Sequence, residues 1–204
     1  MKRLFLIISI LLLICSLTGC RKKEEEKVDL MNSNHVCIEI TDGRKINLEL
    51  YPEVAPISVA NFLKLVDAHY YDGIVFHRII DGFMIQAGAY YMSEDGRTIM
   101  QKDSQPTIKG EFSSNGVENN IKHVAGVLSM ARANNPDSGS TQFFICSDDA
   151  PHLDGSYAAF GRVMDEASLK VVKEIAAASQ VYVDASLANF PYPVITIKTI
   201  ERIA

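Results

Sequence analysis

The chain has 204 residues, with 20 Lys and Arg against 25 Asp and Glu, a formal charge of −5, and 48% hydrophobic residues. That length supports one domain with a real core. The acidic balance excludes the basic footprint on which nucleic-acid binding depends, and four cysteines without a framework spacing exclude a disulfide scaffold.

Met1-Lys2-Arg3 is a basic start, Leu4 to Leu17 is an almost unbroken apolar run, and Thr18-Gly19-Cys20 follows. Charge, apolar centre and small-residue end read as a secretory signal. The run is short for a spanning helix. Leu17-Thr18-Gly19-Cys20 resembles the lipobox of bacterial lipoproteins. That resemblance implies a diacylglyceryl group on Cys20, with Cys20 as the first residue of the mature chain. An uncleaved anchor, or an ordinary signal with a chance cysteine, is the alternative. Removing residues 1–19 leaves 185 residues and takes away Lys2 and Arg3 but no acid, so the formal charge falls from −5 to −7. Lipid rather than charge then has to hold the protein at a membrane. Residues 20–34 read as the lipidated cysteine and a polar tether, with too little apolar content to fold alone. Residues 35–204 read as the folded domain.

Val36 to Thr41 alternates apolar and polar, Asp42-Gly43 turns the chain, and Lys45 to Leu50 alternates again, so a hairpin is expected. Pro52 and Pro56 break the pattern, and Pro56 suits the first turn of a helix. Val59, Phe62, Leu63 and Val66 fall on one helical face. Cys37 and Cys146 read as unpaired residues packed on strands, with a disulfide as the alternative on the oxidising side of a membrane.

Phe76 to Gly88 reads as two short strands around an Asp81-Gly82 turn. Arg78 is the odd residue in it. It must face solvent or a site, because burying it unpaired is costly. A two-residue loop would pair it with Ile85. A three-residue loop, Asp81 to Phe83, pairs it with Gln86 and pairs Ile80 with Met84, which sets donors beside an apolar shelf. Residues 89–125 are the least legible, with turns at Asp95-Gly96 and Asn115-Gly116. Strands are expected over 127–131, 142–147, 159–164 and 194–203. Asp165 is a candidate N-cap for a second helix with Leu169, Val172 and Ala176 inward. Many short strands, frequent Asp-Gly or Asn-Gly turns and two helices argue for an antiparallel barrel.

Phe76-His77-Arg78-Ile79-Ile80-Asp81-Gly82-Phe83-Met84-Ile85-Gln86, then Gly126 to Arg132, Gln142 to Ile145, and Leu153-Asp154-Gly155 before Phe160-Gly161, strongly resemble the cyclophilin-type peptidyl-prolyl cis/trans isomerases. The resemblance runs from about residue 35 to the C-terminus. It implies a mainly β fold, a closed eight-stranded antiparallel barrel capped by two helices, with the site on the outer wall. It implies Arg78 and Gln86 as catalytic residues. Phe83, Met84, Phe144 and Leu153 would form a proline pocket. Gln86 and Gln142 would hold peptide carbonyls, Ala131 and Arg132 would supply backbone contacts, and Tyr157 would offer an aromatic edge and a hydroxyl.

The departures are local. His152 stands where many eukaryotic members have tryptophan, which implies weak binding of cyclosporin. Tyr157 stands for a histidine, Arg132 for an asparagine, and Ala87-Gly88-Ala89 for Gly-Gly-Asp. The implied reaction needs no cofactor and no metal, and the five histidines have no metal-ligand spacing. His77 is expected to pack inward. Ser129 and Ser140 lack a nucleophile elbow, and no Gly-rich phosphate loop appears. The expected function is isomerisation of X-Pro bonds in exported proteins by a monomer held at the outer face of the membrane through Cys20. The rival is a proline-peptide-binding or chaperone module with little turnover.

Overall fold

The computed structural model describes residues 33–178, 180–181 and 189–204. The signal segment, Cys20 and the tether up to residue 32 lie outside the described residues. Strands β1 (His35–Ile40) and β2 (Lys45–Leu50) form the first hairpin, and helix α1 (Pro56–Asp67) follows. The arginine stretch gives β3 (Arg78–Ile80) and β4 (Met84–Ala87). A small separate hairpin, β5 (Tyr90–Met92) and β6 (Ile99–Gln101), occupies part of the region that was illegible in sequence. Next come β7 (Val127–Met130), β8 (Phe143–Cys146), β9 (Ala159–Val163) and helix α2 (Glu166–Ala176). Two-residue strands β10 (Gln180–Val181) and β11 (Phe190–Pro191) pair with each other, and β12 (Ile197–Ile203) ends the fold.

The eight-stranded sheet runs β12-β1-β2-β9-β7-β8-β4-β3. It is open, which corrects the expected closed barrel. Among the described residues no continuous ladder joins β3 to β12. The segment before β3 instead meets the approach to β12 through single backbone bonds, Phe76 N–H to Ile195 O at 2.9 Å and Ile197 N–H to Ile74 O at 2.8 Å, with one bridge between Val75 and Thr196. The physical reason lies in the chain on both sides. β3 is three residues long, and Pro191 and Pro193 lack the N–H a ladder needs. The continuous last strand begins at Ile197 rather than at 194.

Period-two alternation sorts the sheet into two faces. Val36, Ile38, Ile46, Leu48, Ile79, Ile85, Leu128, Phe143, Ile145 and Phe160 fill the main core with Phe62 and Val66 of α1 and Val172 and Ile175 of α2. Phe62 is its aromatic centre, 5.4 Å and nearly edge-on to Phe143. Each buried aliphatic side chain contributes roughly 1.5–3 kcal/mol. The intervening residues of the central strands, Met84, Phe144 and Cys146, form a second apolar cluster on the other face with Ala150 and Leu153.

The helix ends are tied differently. Asp165 caps α2 by accepting from Ser168 N–H at 2.7 Å, as its position before the helix implies. The start of α1 has no capping side chain of its own. Buried Glu111 supplies it from afar: its carboxylate accepts from Ile57 N–H, Ser58 N–H and Ser58 Oγ at 2.9, 2.7 and 2.7 Å. Cys37 and Cys146 are unpaired, and burial pushes the Cys146 thiol up to about 12.

Candidate active site

The β3–β4 hairpin adopts the three-residue loop. Arg78 faces Gln86, Ile79 faces Ile85, and Ile80 faces Met84. Arg78 therefore shares the outer face with Gln86 and Met84, away from the main core. β8 continues that face, with Phe144 opposite Gln86 and Cys146 opposite Met84. β7 adds Ser129 opposite Phe144.

On this face lies a cavity of about 200 Å³. Met84, Phe144 and Leu153 form its apolar floor, and Phe83, Ala131 and Tyr157 close its sides. Arg78, Gln86 and Arg132 supply the polar rim. Nine of the ten sequence-derived site residues thus converge. The tenth, Gln142, lines an adjoining cavity of about 270 Å³ that shares Gln86, Ala131 and Arg132 with the first. Gln86 Nε2 donates to Gln142 Oε1 at 2.8 Å, so the two amides are held as a pair between the cavities.

Arg78 is half-buried and makes no ion pair with a carboxylate among the described residues. Its Nη1 lies 3.7 Å from Met84 Sδ, and its guanidinium carbon sits 6.0 Å from the centre of the Phe83 ring. Loss of solvent holds its pKa below the ordinary arginine value, with Tyr157 opposing. Arginine starts so high that the group stays charged at any working pH. A charged, multi-donor group without a carboxylate partner, beside an apolar floor, can donate to an amide laid across the cavity.

Gly88 permits this geometry. Its φ is +113°, and a Cβ there would lie 2.3 Å from Thr141 O and 2.7 Å from Gln142 Cα. The strand carrying Gln86 can approach the Gln142 backbone only because residue 88 has no side chain. The Ala131 N–H is already donated to the Gln142 carbonyl at 3.0 Å.

The Arg132 side chain does more than its expected backbone role. Its guanidinium carbon lies 4.6 Å from the Tyr157 ring centre and 5.1 Å from that of Phe112. Its Nε donates to Ser156 O and its Nη1 to Ala133 O, both at 2.9 Å. Tyr157 in turn meets Phe144 edge-on at 5.8 Å. Sequence reading missed Phe112, because nothing in the local pattern ties it to residue 132. His152 is exposed and stands beside the Phe83 ring, centre to centre 5.2 Å. His77 is buried against Tyr90, and loss of solvent lowers its pKa to about 4, so it stays neutral.

Comparison with known proteins gives this face a family. Residues 35–202 match the model of the cyclophilin type peptidyl-prolyl cis-trans isomerases. Peptidyl-prolyl cis-trans isomerase B of Bacillus subtilis is 44% identical over 124 residues, 61% of this chain and 79% of that one. A peptidyl-prolyl cis-trans isomerase of Synechococcus elongatus is 40% identical over 135 residues, 66% of this chain and 84% of that one. Among solved structures, a cyclophilin type isomerase from Cryptosporidium parvum, crystallised in the presence of the dipeptide Ala-Pro, matches with a TM-score of 0.64 at 28% identity, covering 83% of this chain and 99% of that one. A family match over residues 35–202, with relatives at 40–44% identity, shows that this chain belongs to the cyclophilin-type peptidyl-prolyl cis-trans isomerases.

Proposed function

We propose that Arg78 and Gln86 carry the isomerisation, that the cavity over Met84, Phe144 and Leu153 takes the proline ring, and that the substrates are proline-containing segments of exported proteins met at the outer face of the membrane, where lipid on Cys20 holds the enzyme as a monomer. One observation supports the site reading above the others. Arg78, with no carboxylate partner among the described residues, stands on the rim of a cavity of about 200 Å³ whose floor is apolar.

The chemistry follows from that arrangement. Rotation about an X-Pro bond faces a barrier of ~20 kcal/mol, because amide resonance must be broken. As the bond twists, the proline nitrogen regains its lone pair and becomes a hydrogen-bond acceptor. A donor aimed at that nitrogen favours the twisted state over either planar one. The apolar floor grips the proline ring, while Gln86 and Gln142 hold neighbouring carbonyls, so rotation is confined to one bond. No covalent step is involved. The export reading is supported by the apolar run ending at Cys20.

Titration of the dipeptide Ala-Pro, followed by NMR, tests the site. The Met84 methyl and the Phe144 ring are expected to shift with a single saturating dependence. Shifts confined to residues elsewhere would remove the cavity from the reading.

A further inference from the structure

Behind the Phe144 ring lies a buried polar chain with no part in the chemistry above. His123 is 1% exposed. Its ring Nδ1 lies 3.2 Å from Asp154 Oδ1, and its Nε2 lies 3.0 Å from Ser129 Oγ. Its backbone N–H donates to the same Asp154 oxygen at 2.8 Å, and its carbonyl accepts from Ala150 N–H at 2.7 Å. Residues 150 and 154 are the two ends of a short segment whose 3₁₀ turn, Pro151–Leu153, carries Leu153 into the cavity. His123 therefore grips both ends of that turn. Its ring also stacks on Phe144, 6.0 Å between centres and 19° between planes.

Ser129, His123 and Asp154 together have the composition of a nucleophile relay. Ser129 is 0% exposed, so no substrate can reach its hydroxyl. A geometric role remains. With the ring neutral, Nδ1–H donates to Asp154 and Nε2 accepts from the Ser129 hydroxyl, which satisfies each buried polar atom. Burial favours that neutral form, against the opposing pull of Asp154. One imidazole thus joins β7, the cavity floor and the turn that brings Leu153 to that floor.

On the reading of that cavity as the proline site, we infer that His123 is a positioning residue for the isomerase. Its ring fixes the Leu153 turn against Phe144, and so sets how tightly the proline ring is held without touching substrate. Arg78 and Gln86 sit on the β3–β4 hairpin, and neither is bonded to His123 among the described residues. Loss of the ring should therefore weaken the grip shared by ground and transition states and leave the rotation step alone.

Steady-state isomerisation of an X-Pro peptide by the full chain, purified in detergent, separates these effects. His123→Phe keeps the stack and drops both ring hydrogen bonds. KM is expected to rise about tenfold with kcat within about twofold of wild type. His123→Asn returns an amide nitrogen near Nδ1 and is expected to recover most of the affinity. If His123→Phe does not fold, Asp154→Ala opens the same clamp from its outer end and carries the same expectation. A wild-type KM in whichever variant folds, or a fall in kcat as large as the rise in KM, overturns the inference. Leu153→Ala tests the underlying site by itself. An unchanged KM there overturns the site reading and the inference with it. A raised KM there, beside an unchanged one in the clamp variant, overturns the inference alone.

Discussion

Arg78 and Gln86 are direct cross-strand partners, and both face away from the main core. That relationship depends on loop length. The three residues Asp81 to Phe83 set a register in which every second residue of β3 and β4 meets its partner on the outer face. A two-residue loop would have set Arg78 against Ile85 and turned one of them to the wrong side, because a one-residue slip exchanges the faces of a strand.

His152 is the residue from which weak binding of cyclosporin is expected. His152 is exposed beside Phe83 and offers a small ring where an indole would cover more apolar surface and donate through its N–H. His152→Trp is expected to tighten cyclosporin binding about tenfold. Calorimetric titration of both proteins checks this. The chain contains no other tryptophan, so fluorescence of the introduced one gives a second readout. Equal affinities would remove residue 152 from ligand capture.

Anchoring is expected to depend on one sulfur. Cys20→Ser should release the protein from the membrane fraction or leave the precursor uncleaved, as read by fractionation and by the mass of the N-terminus. Normal processing and membrane retention of the variant would contradict lipidation there.

Glu111 is expected to matter for stability far more than a surface acid. Its carboxylate accepts three hydrogen bonds at the uncapped start of α1. Glu111→Ala leaves the two Ser58 donors buried and unpaired, at a cost of ~2 kcal/mol or more. Denaturant unfolding should show a lower midpoint with an unchanged slope. An unchanged midpoint would mean the cap contributes nothing.

Acid should weaken the fold through His77. Its pKa falls from the ordinary 6.5 to about 4 in the folded protein, because burial disfavours the charged ring. Between those values the unfolded chain binds the extra proton. The stability His77 contributes is therefore complete above pH 6.5 and declines as pH falls towards 4, by up to about 1.4 kcal/mol per pH unit. His77→Phe should flatten that part of the stability–pH curve relative to wild type. Curves of identical slope would show that His77 does not titrate with unfolding.

Much of this was legible because local patterns coincide with the fold. The alternation in 36–41 and 45–50, the Val59-Phe62-Leu63-Val66 stripe and the Asp165 cap all specify elements that the structure contains. For the Asp81–Phe83 turn the sequence left two loop lengths open, and the three-residue one that the structure adopts puts Arg78, Gln86 and Met84 on one face. What could not be read depends on contacts distant in sequence. Glu111 caps a helix that begins 55 residues earlier, at Pro56, and His123 clamps a turn near residue 152. Neither leaves a local pattern. The open edge of the sheet was missed for a similar reason. Residues 194–196 are apolar enough to read as strand, yet pairing there is interrupted.

The most direct measurement compares wild type with Arg78→Ala in cis-to-trans conversion of a short X-Pro peptide. Loss of one charged donor to the twisted amide is expected to cost ~3 kcal/mol, roughly a hundredfold in rate. Thermal unfolding should be nearly unchanged, because Arg78 lies outside the main core and makes no ion pair among the described residues. Arg78→Lys should recover only part of the rate, since a point charge does not reproduce the planar fork. A hundredfold loss with an intact fold is the result this account predicts. Equal rates for wild type and Arg78→Ala would contradict it.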